Sequence, residues 1–206
     1  MCFWLYQSDE ITLVLINNTE NPDLSTPWFG NRVQKLSSVA ASMATFIFNR
    51  SFSKHLEEEY EIFNEAWNRS AQKEKLFDRY FAAAASGATF DCRAFVVPNI
   101  TEAVNCLIWR QQDASKNSIL NLGHSYFTNK ELHGKSCSDI QQMLLTEHNI
   151  NWNDQSTVFK RGLACIRVDK QIDTPHGSVI RKKWELDTEM PILTQDREYL
   201  IKQLSA

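Results

Sequence analysis

Cys2-Phe3-Trp4-Leu5-Tyr6-Gln7-Ser8-Asp9-Glu10-Ile11-Thr12-Leu13-Val14-Leu15 holds two apolar runs separated by a polar turn, Tyr6 to Glu10. Each run is short, rich in aromatic and β-branched residues and apolar at consecutive positions. That is the pattern of strands covered on both faces, so the stretch predicts a hairpin in the middle of a covered sheet, with Asp9 and Glu10 at its tip. Two carboxylates beside a buried sheet cost desolvation unless a cation or a set of donors offsets it, and a hard divalent metal is a natural partner. The same residues suit a solvated β-turn, and taken alone they favour that plainer reading.

Working outward, residues 17–30 carry Asn, Thr, Pro and Gly and read as loop. A helix is predicted over 31–49, with Leu36, Val39, Met43, Phe46 and Ile47 on an inward face that Arg32 and Lys35 open. Two cations in a first helical turn oppose the macrodipole, which an anionic ligand such as a triphosphate would explain; snorkelling to water explains them equally well. Residues 51–86 read as a helix or a pair of helices. Leu56, Tyr60, Phe63 and Trp67 keep helical spacing, and Glu57, Glu58, Glu59 and Glu61 form a solvated acidic face. Residues 89–98 predict a third strand, closed by Pro98, with Asp91 and Arg93 embedded and paired.

Thr101 offers a cap for a helix to about residue 123. Val104, Leu107, Ile108, Ile119 and Leu122 form its apolar stripe, and Arg110, Asp113, Asn117 and Asn121 a separate polar one. The polar stripe has the donors and acceptors to hold a nucleotide edge or an RNA backbone, and it equally suits a solvent face with an Arg110–Asp113 ion pair. Residues 130–135 read as a loop in which Lys135 is a candidate phosphate or RNA contact. Ser136 then opens a helix to about residue 147 through a capping-box-like pairing with Asp139. An Asn-rich turn leads to Lys160-Arg161-Gly162, residues 163–168 and 179–185 form a terminal hairpin, and residues 194–204 close with a short amphipathic helix. Lys160, Arg161, Arg167, Arg181, Lys182 and Lys183 make this the most basic region and the candidate RNA contact, against the alternative that they only keep an exposed hairpin soluble.

With 206 residues, 43% hydrophobic and 23% charged, the composition is that of a globular protein with ample core. A net charge of −3 offers no overall attraction to nucleic acid, so an RNA partner needs a local basic surface. Five scattered cysteines without a Cys-x-x-Cys pair point to reduced thiols in a cytoplasmic protein and away from structural zinc. No apolar run approaches the ~20 residues of a membrane span, and no basic leader opens the chain, so a soluble, non-exported protein is expected.

Several blocks in order carry a resemblance: Gln7-Ser8-Asp9-Glu10-Ile11-Thr12-Leu13-Val14, Arg32-Val33-Gln34-Lys35-Leu36-Ser37-Ser38, Phe90-Asp91-Cys92-Arg93, Trp109-Arg110-Gln111-Gln112-Asp113, Lys130-Glu131-Leu132-His133-Gly134-Lys135-Ser136 and Ile150-Asn151-Trp152-Asn153. Together they resemble the tRNA-His guanylyltransferase and guanylyltransferase-like family of 3′-to-5′ nucleotide-adding polymerases, from residue 7 to about residue 162. The resemblance implies an α+β fold: a palm-like antiparallel sheet with packed helices, as in forward-direction polymerases and nucleotide cyclases, with the strand at 89–98 in the same sheet. It implies a core over residues 1–125 and a C-terminal helical and hairpin region over 126–206. It also implies nucleotide addition, from GTP by preference, to the 5′ end of a tRNA activated with ATP or GTP. Magnesium would be held by Asp9 with Ser8 and Glu10 in support; Arg32 and Lys35 would meet the triphosphate, and the stripe from Arg110 to Asn121 the substrate. A homotetramer is the assembly implied.

Two departures stand out. The family places an Asp-Gly-Arg segment, on a first strand and helix, ahead of this hairpin, and the chain reads as a member without that portion. Ser115, in Ser115-Lys116-Asn117-Ser118, stands where the eukaryotic enzymes carry a histidine, as in the archaeal, bacterial and phage-like branch, so tRNA-His specificity is not implied. A noncatalytic tRNA- or nucleotide-binding remnant and a nucleotide cyclase are the alternative readings.

Overall fold

In the computed structural model, which describes residues 2–7, 9–16, 27–65, 70–175 and 177–205, β1 (Cys2–Gln7) and β2 (Glu10–Leu15) form a hairpin as expected, but β2 is an edge strand and not a covered one, with Ile11 and Leu15 exposed. They pair antiparallel with Cys2 opposite Leu15 and Gln7 opposite Glu10, which leaves two residues for the turn. β1 is central because β3 (Leu163–Thr174) pairs with its other side, and β4 (Gly177–Asp187) completes the antiparallel order β2-β1-β3-β4. Leu5 lies opposite Ala164, and both are fully buried.

The expected terminal hairpin therefore supplies half of the central sheet. Its strands are longer than expected, and only residues 163–165 pair with β1; beyond them β3 and β4 continue together as a two-stranded ribbon to Thr174↔Gly177. The strand expected over 89–98 is not formed. Asn49 captures the backbone just ahead of it, donating from Nδ2 to the Ala88 carbonyl at 2.8 Å and accepting the Ala88 N–H at 2.7 Å, and within it Thr45 Oγ1 accepts from the Phe90 N–H at 3.0 Å. Side chains thus take up hydrogen-bonding groups that a ladder would have used. Asp91 and Arg93 do approach each other at 3.7 Å, but on the surface and not inside a sheet.

The chain divides into two compact units, Met1–Asn18 with Val97–Ala206, and Thr19–Val96. In the first unit, α3 (Ile100–His124) lays Val104, Leu107 and Ile108 against Leu5 and Ala164 of the sheet, with Leu200 and Leu204 of α7 (Arg197–Ser205) in the same core. A second cluster joins Ile119 of α3 to Leu132 of α4 (Asn129–Leu132) and to Ile140 and Leu144 of α5 (Cys137–His148). Gly123 permits this approach: a Cβ there would sit 2.8 Å from Ile140 Cγ2. The cap of α3 is Asn99, whose Oδ1 accepts from the Glu102 N–H at 2.9 Å, and not Thr101. The capping box at Ser136 and Asp139 forms as expected, and Thr128 with Glu131 makes a second one, turning part of the expected 130–135 loop into α4.

The second unit is a helical pair, α1 (Val33–Glu65) and α2 (Ala71–Ser86). α1 runs well past residue 49 because no Gly or Pro interrupts it before Glu65. Aromatic edge contacts join the two helices, with Tyr60 5.2 Å from Phe77 and 5.1 Å from Phe81. Leu56 and Phe63 are buried as their spacing predicts, while Trp67 lies outside the described residues. The expected inward face of the first half is not covered: Met43, Phe46 and Ile47 are exposed. Among the described residues, no helix is long and apolar enough to cross a membrane.

Candidate functional site

The hairpin tip carries Asp9 in the turn and Glu10 at the start of β2, both exposed. Across 100 residues of sequence, the Arg110 guanidinium on α3 forms a salt bridge with Glu10 Oε2. Arg110 also lies over the ring of Trp109, 3.9 Å from its centroid. The tip and the polar stripe of α3 thus meet at one point. The Arg110–Asp113 pair allowed by helical spacing is not made: Arg110 takes Glu10, and Asp113 accepts from Asn117 Nδ2 at 3.4 Å.

Two serines of α3 bind the fold together. Ser115 donates to the Lys160 carbonyl at 2.9 Å, holding α6 (Thr157–Arg161) against α3. Trp152 Nε1 donates to Ser118 Oγ at 3.0 Å, and Ser118 donates to the Ser115 carbonyl at 2.8 Å. Lys160 donates to the Asn153 carbonyl and sits 5.7 Å from the Trp152 ring centroid, and the Arg161 guanidinium donates to Thr157 Oγ1 at 3.5 Å. Both are half-buried, so these two expected RNA contacts are tied into the fold of their own segment. Lys135 is exposed, and its charge adds to the Ser136 hydrogen bonds that hold the Asp139 carboxyl below the usual carboxylate range. Asn121 is exposed and its carbonyl accepts the Ser125 N–H at 3.2 Å.

Arg32 and Lys35 belong to the other unit. Arg32 precedes α1, its carbonyl accepting the Leu36 N–H at 2.9 Å, and Lys35 lies 5.6 Å from the Phe29 ring centroid; both side chains are exposed rather than inward. Ser8 lies outside the described residues.

A protein of similar fold has been solved. A bacterial tRNA(His) guanylyltransferase-like protein in complex with ATP is 35% identical to this chain with a TM-score of 0.70, over 98% of this chain and 70% of that one. The chain belongs to the tRNA(His) guanylyltransferase family. The family's sequence model, described as tRNAHis guanylyltransferase, matches residues 1–98. A bacterial relative in complex with GTP is 30% identical with a TM-score of 0.64, over 100% of this chain and 70% of that one. Among curated relatives, the tRNA(His) guanylyltransferase of Debaryomyces hansenii is 32% identical over 91 residues, 38% of this chain and 34% of that protein. That of Kluyveromyces lactis is 32% identical over 102 residues, 41% of this chain and 43% of that protein. The match thus spans less than half the length of these curated relatives.

Nucleotidyltransferases of this kind are in general metal-dependent, so the donors at the tip matter. Glu10 is engaged by Arg110, and among the described residues no group of three or more His, Cys, Asp or Glu side chains is placed to hold a metal ion. The described donors therefore do not make up a metal cage. The interactions that sequence reading missed are the Glu10–Arg110 contact and the Gln111 carboxamide. Gln111 is buried, donating to the Pro191 carbonyl at 2.9 Å and accepting the Leu193 N–H at 2.8 Å. The clue to Gln111 is its spacing, three residues after Ile108 and four after Leu107, which puts it on their buried face; nothing local points Arg110 to Glu10.

Proposed function

We propose that this chain is a nucleotidyltransferase that adds a nucleotide, GTP by preference, to the 5′ end of a tRNA in the 3′-to-5′ direction, in tRNA processing or repair. The observation that carries the reading is the likeness, over 98% of the chain, to a bacterial guanylyltransferase-like protein in complex with ATP, with a second such protein in complex with GTP. Phosphoryl transfer asks a protein chiefly for positioning and charge neutralisation. In this reading Asp9 is the residue the chain offers to magnesium, and Arg32 and Lys35 meet the nucleotide triphosphate. Asp113, Asn117 and Asn121 hold the substrate, and Lys135 with the exposed Arg167, Arg181, Lys182 and Lys183 follow the tRNA backbone. The described cysteines Cys92, Cys106, Cys137 and Cys165 are free thiols, in keeping with a cytoplasmic setting.

That no group of three or more His, Cys, Asp or Glu side chains is placed to hold a metal ion among the described residues favours a second reading, binding of tRNA or nucleotide without turnover. Labelled GTP and a tRNA lacking its 5′-terminal nucleotide separate the two. The expected result is slow, magnesium-dependent labelling of the 5′ end, reduced roughly 100-fold by Asp9→Ala. No product under any metal condition, with tRNA binding that survives Asp9→Ala, would establish the binding-only reading instead.

A further inference from the structure

We propose that Trp109 and Asp113 read a guanine base, carried by a free nucleotide or by an unpaired RNA residue, with Trp109 as the ring on which the base stacks and Asp113 as the acceptor for its edge. The large apolar side chains of α3 sink into the two cores, Val104, Leu107 and Ile108 into one and Ile119 into the other. Trp109 does not: it is 54% exposed, more than Trp28 or Trp184. The Arg110 guanidinium lies over its ring, 3.9 Å from the centroid, and Glu10 holds that guanidinium through a salt bridge. The indole is thereby set in place before a ligand arrives, and a base that stacks on a fixed ring does not have to order it. Every base has a π-face, so such a platform binds without choosing among them.

The choice is made one helical turn further on. Asp113 follows Trp109 by four residues, the spacing of neighbours on a helix surface, and it is half-buried. Asn117, on the next turn, donates to Asp113 Oδ2 at 3.4 Å and so orients the carboxylate. A carboxylate only accepts hydrogen bonds. Guanine presents two adjacent donors, N1–H and its N2 amino group, which match the two carboxylate oxygens. Adenine and cytosine present one amino group beside an acceptor, and uracil one N–H between two carbonyls. The two side chains together therefore select guanine by hydrogen-bond pattern and not by size. The proposal rests on the nucleotidyl-transfer reading only for what becomes of the base once it is held.

NMR titration of the full chain with GMP, magnesium omitted, tests this without an activity assay. GMP carries the base without the triphosphate, so contacts to the outer phosphates do not enter. The Trp109 indole N–H, identified by its loss in Trp109→Tyr, is expected to shift as GMP is added, and the guanine H8 proton to move upfield as a stacked proton does. Affinity, read from the backbone amides of α3, should fall about fivefold or more in Trp109→Leu, which loses the ring, and stay within about threefold in Trp109→Tyr. GMP should bind about fivefold more tightly than AMP, and Asp113→Asn should bring the two within about twofold. A short RNA of adenosines with one central guanosine is the second ligand. A loss in Trp109→Leu confined to GMP assigns the base to a free nucleotide, one confined to the RNA assigns it to an unpaired residue, and a loss in both means that either is held; each supports the proposal. Unchanged affinity for both ligands in Trp109→Leu, a Trp109→Tyr no better than Trp109→Leu, or a guanine preference that survives Asp113→Asn overturns it. Should Trp109→Leu fail to fold, the native protein decides, since an indole N–H that moves with neither ligand overturns the proposal and one that moves with an upfield H8 supports it. Absent guanylyl transfer with this binding intact counts against the functional reading alone.

Discussion

Gln111 and Arg110 stand side by side on α3, and each shows how a residue's role is fixed by a partner far away in sequence. Gln111 is 4% exposed, and its carboxamide answers one carbonyl and one N–H of the segment that follows β4. Replacing it by leucine keeps the volume and leaves the Pro191 carbonyl and the Leu193 N–H without these partners in a buried place. Gln111→Leu is therefore expected to cost about 2–3 kcal/mol of stability, read as a lower urea midpoint with unchanged slope; a loss under half a kcal/mol would mean that water reaches the segment. Residue chemistry was legible in the sequence only in part: Arg110 was available as a donor, but the desolvation cost expected of Asp9 and Glu10 does not arise, since both are exposed. The pairing of Arg110 with Glu10 was not legible, because helical spacing suggests only local partners such as Asp113, and the contact made spans 100 residues.

At the scale of elements, the readable features were those whose signals are local. The hairpin follows from alternation of apolar and turn residues, the stripe of α3 from helical spacing, and the Ser136 box from three consecutive positions. The strand expected over 89–98 is not formed because its sequence suits a strand equally well with or without a neighbour, while Asn49 holds Ala88 just ahead of it and Thr45 takes the Phe90 N–H at its start. The extent of the β3–β4 ribbon escaped because polar residues such as Asp169, Lys170 and Gln171 look like loop when no partner strand is known. The two capping boxes carry a test of their own. Backbone and hydroxyl hydrogen bonds from Thr128 hold the Glu131 carboxyl below its ordinary value, and those from Ser136 do the same for Asp139. A carboxyl whose folded pKa lies below its unfolded value of about 4 contributes stability that is present above that value and lost as pH falls through the lower one. Carbon chemical shifts of the first turns of α4 and α5 are thus expected to stay helical at pH 5 and move toward coil below about pH 4. Ser136→Ala should weaken that pH dependence in α5 and leave α4 as it was. Shifts in α5 that remain helical down to pH 2 would show that packing of Ile140 and Leu144, and not the cap, holds its start.

For the whole molecule, the sign of the net charge and the location of the cations pull in opposite directions. A chain at −3 has no long-range attraction for a polyanion, and Lys160 and Arg161 are held by neighbours in their own segment. The exposed cations of the ribbon are arranged differently. Arg181 lies opposite Lys170, whose charge is met by Glu185, while Arg167 stacks 5.6 Å from the Trp184 ring centroid beside Lys182 on the same face of the pair. Such a surface can attract RNA only at short range, where released counterions supply the binding free energy. Each phosphate contact contributes about 0.7–0.9 to the slope of log affinity against log salt. Changing Arg181, Lys182 and Lys183 together to glutamine is then expected to reduce that slope by about 2–3 for a bound tRNA, while Lys160→Gln reduces it by well under 1. The comparison is made by filter binding across a salt series, since a single affinity cannot separate phosphate contacts from base contacts. An unchanged slope in the triple variant would remove the ribbon from the proposed interface and leave Lys135 and the exposed positions of α3 as the surface proposed for a tRNA.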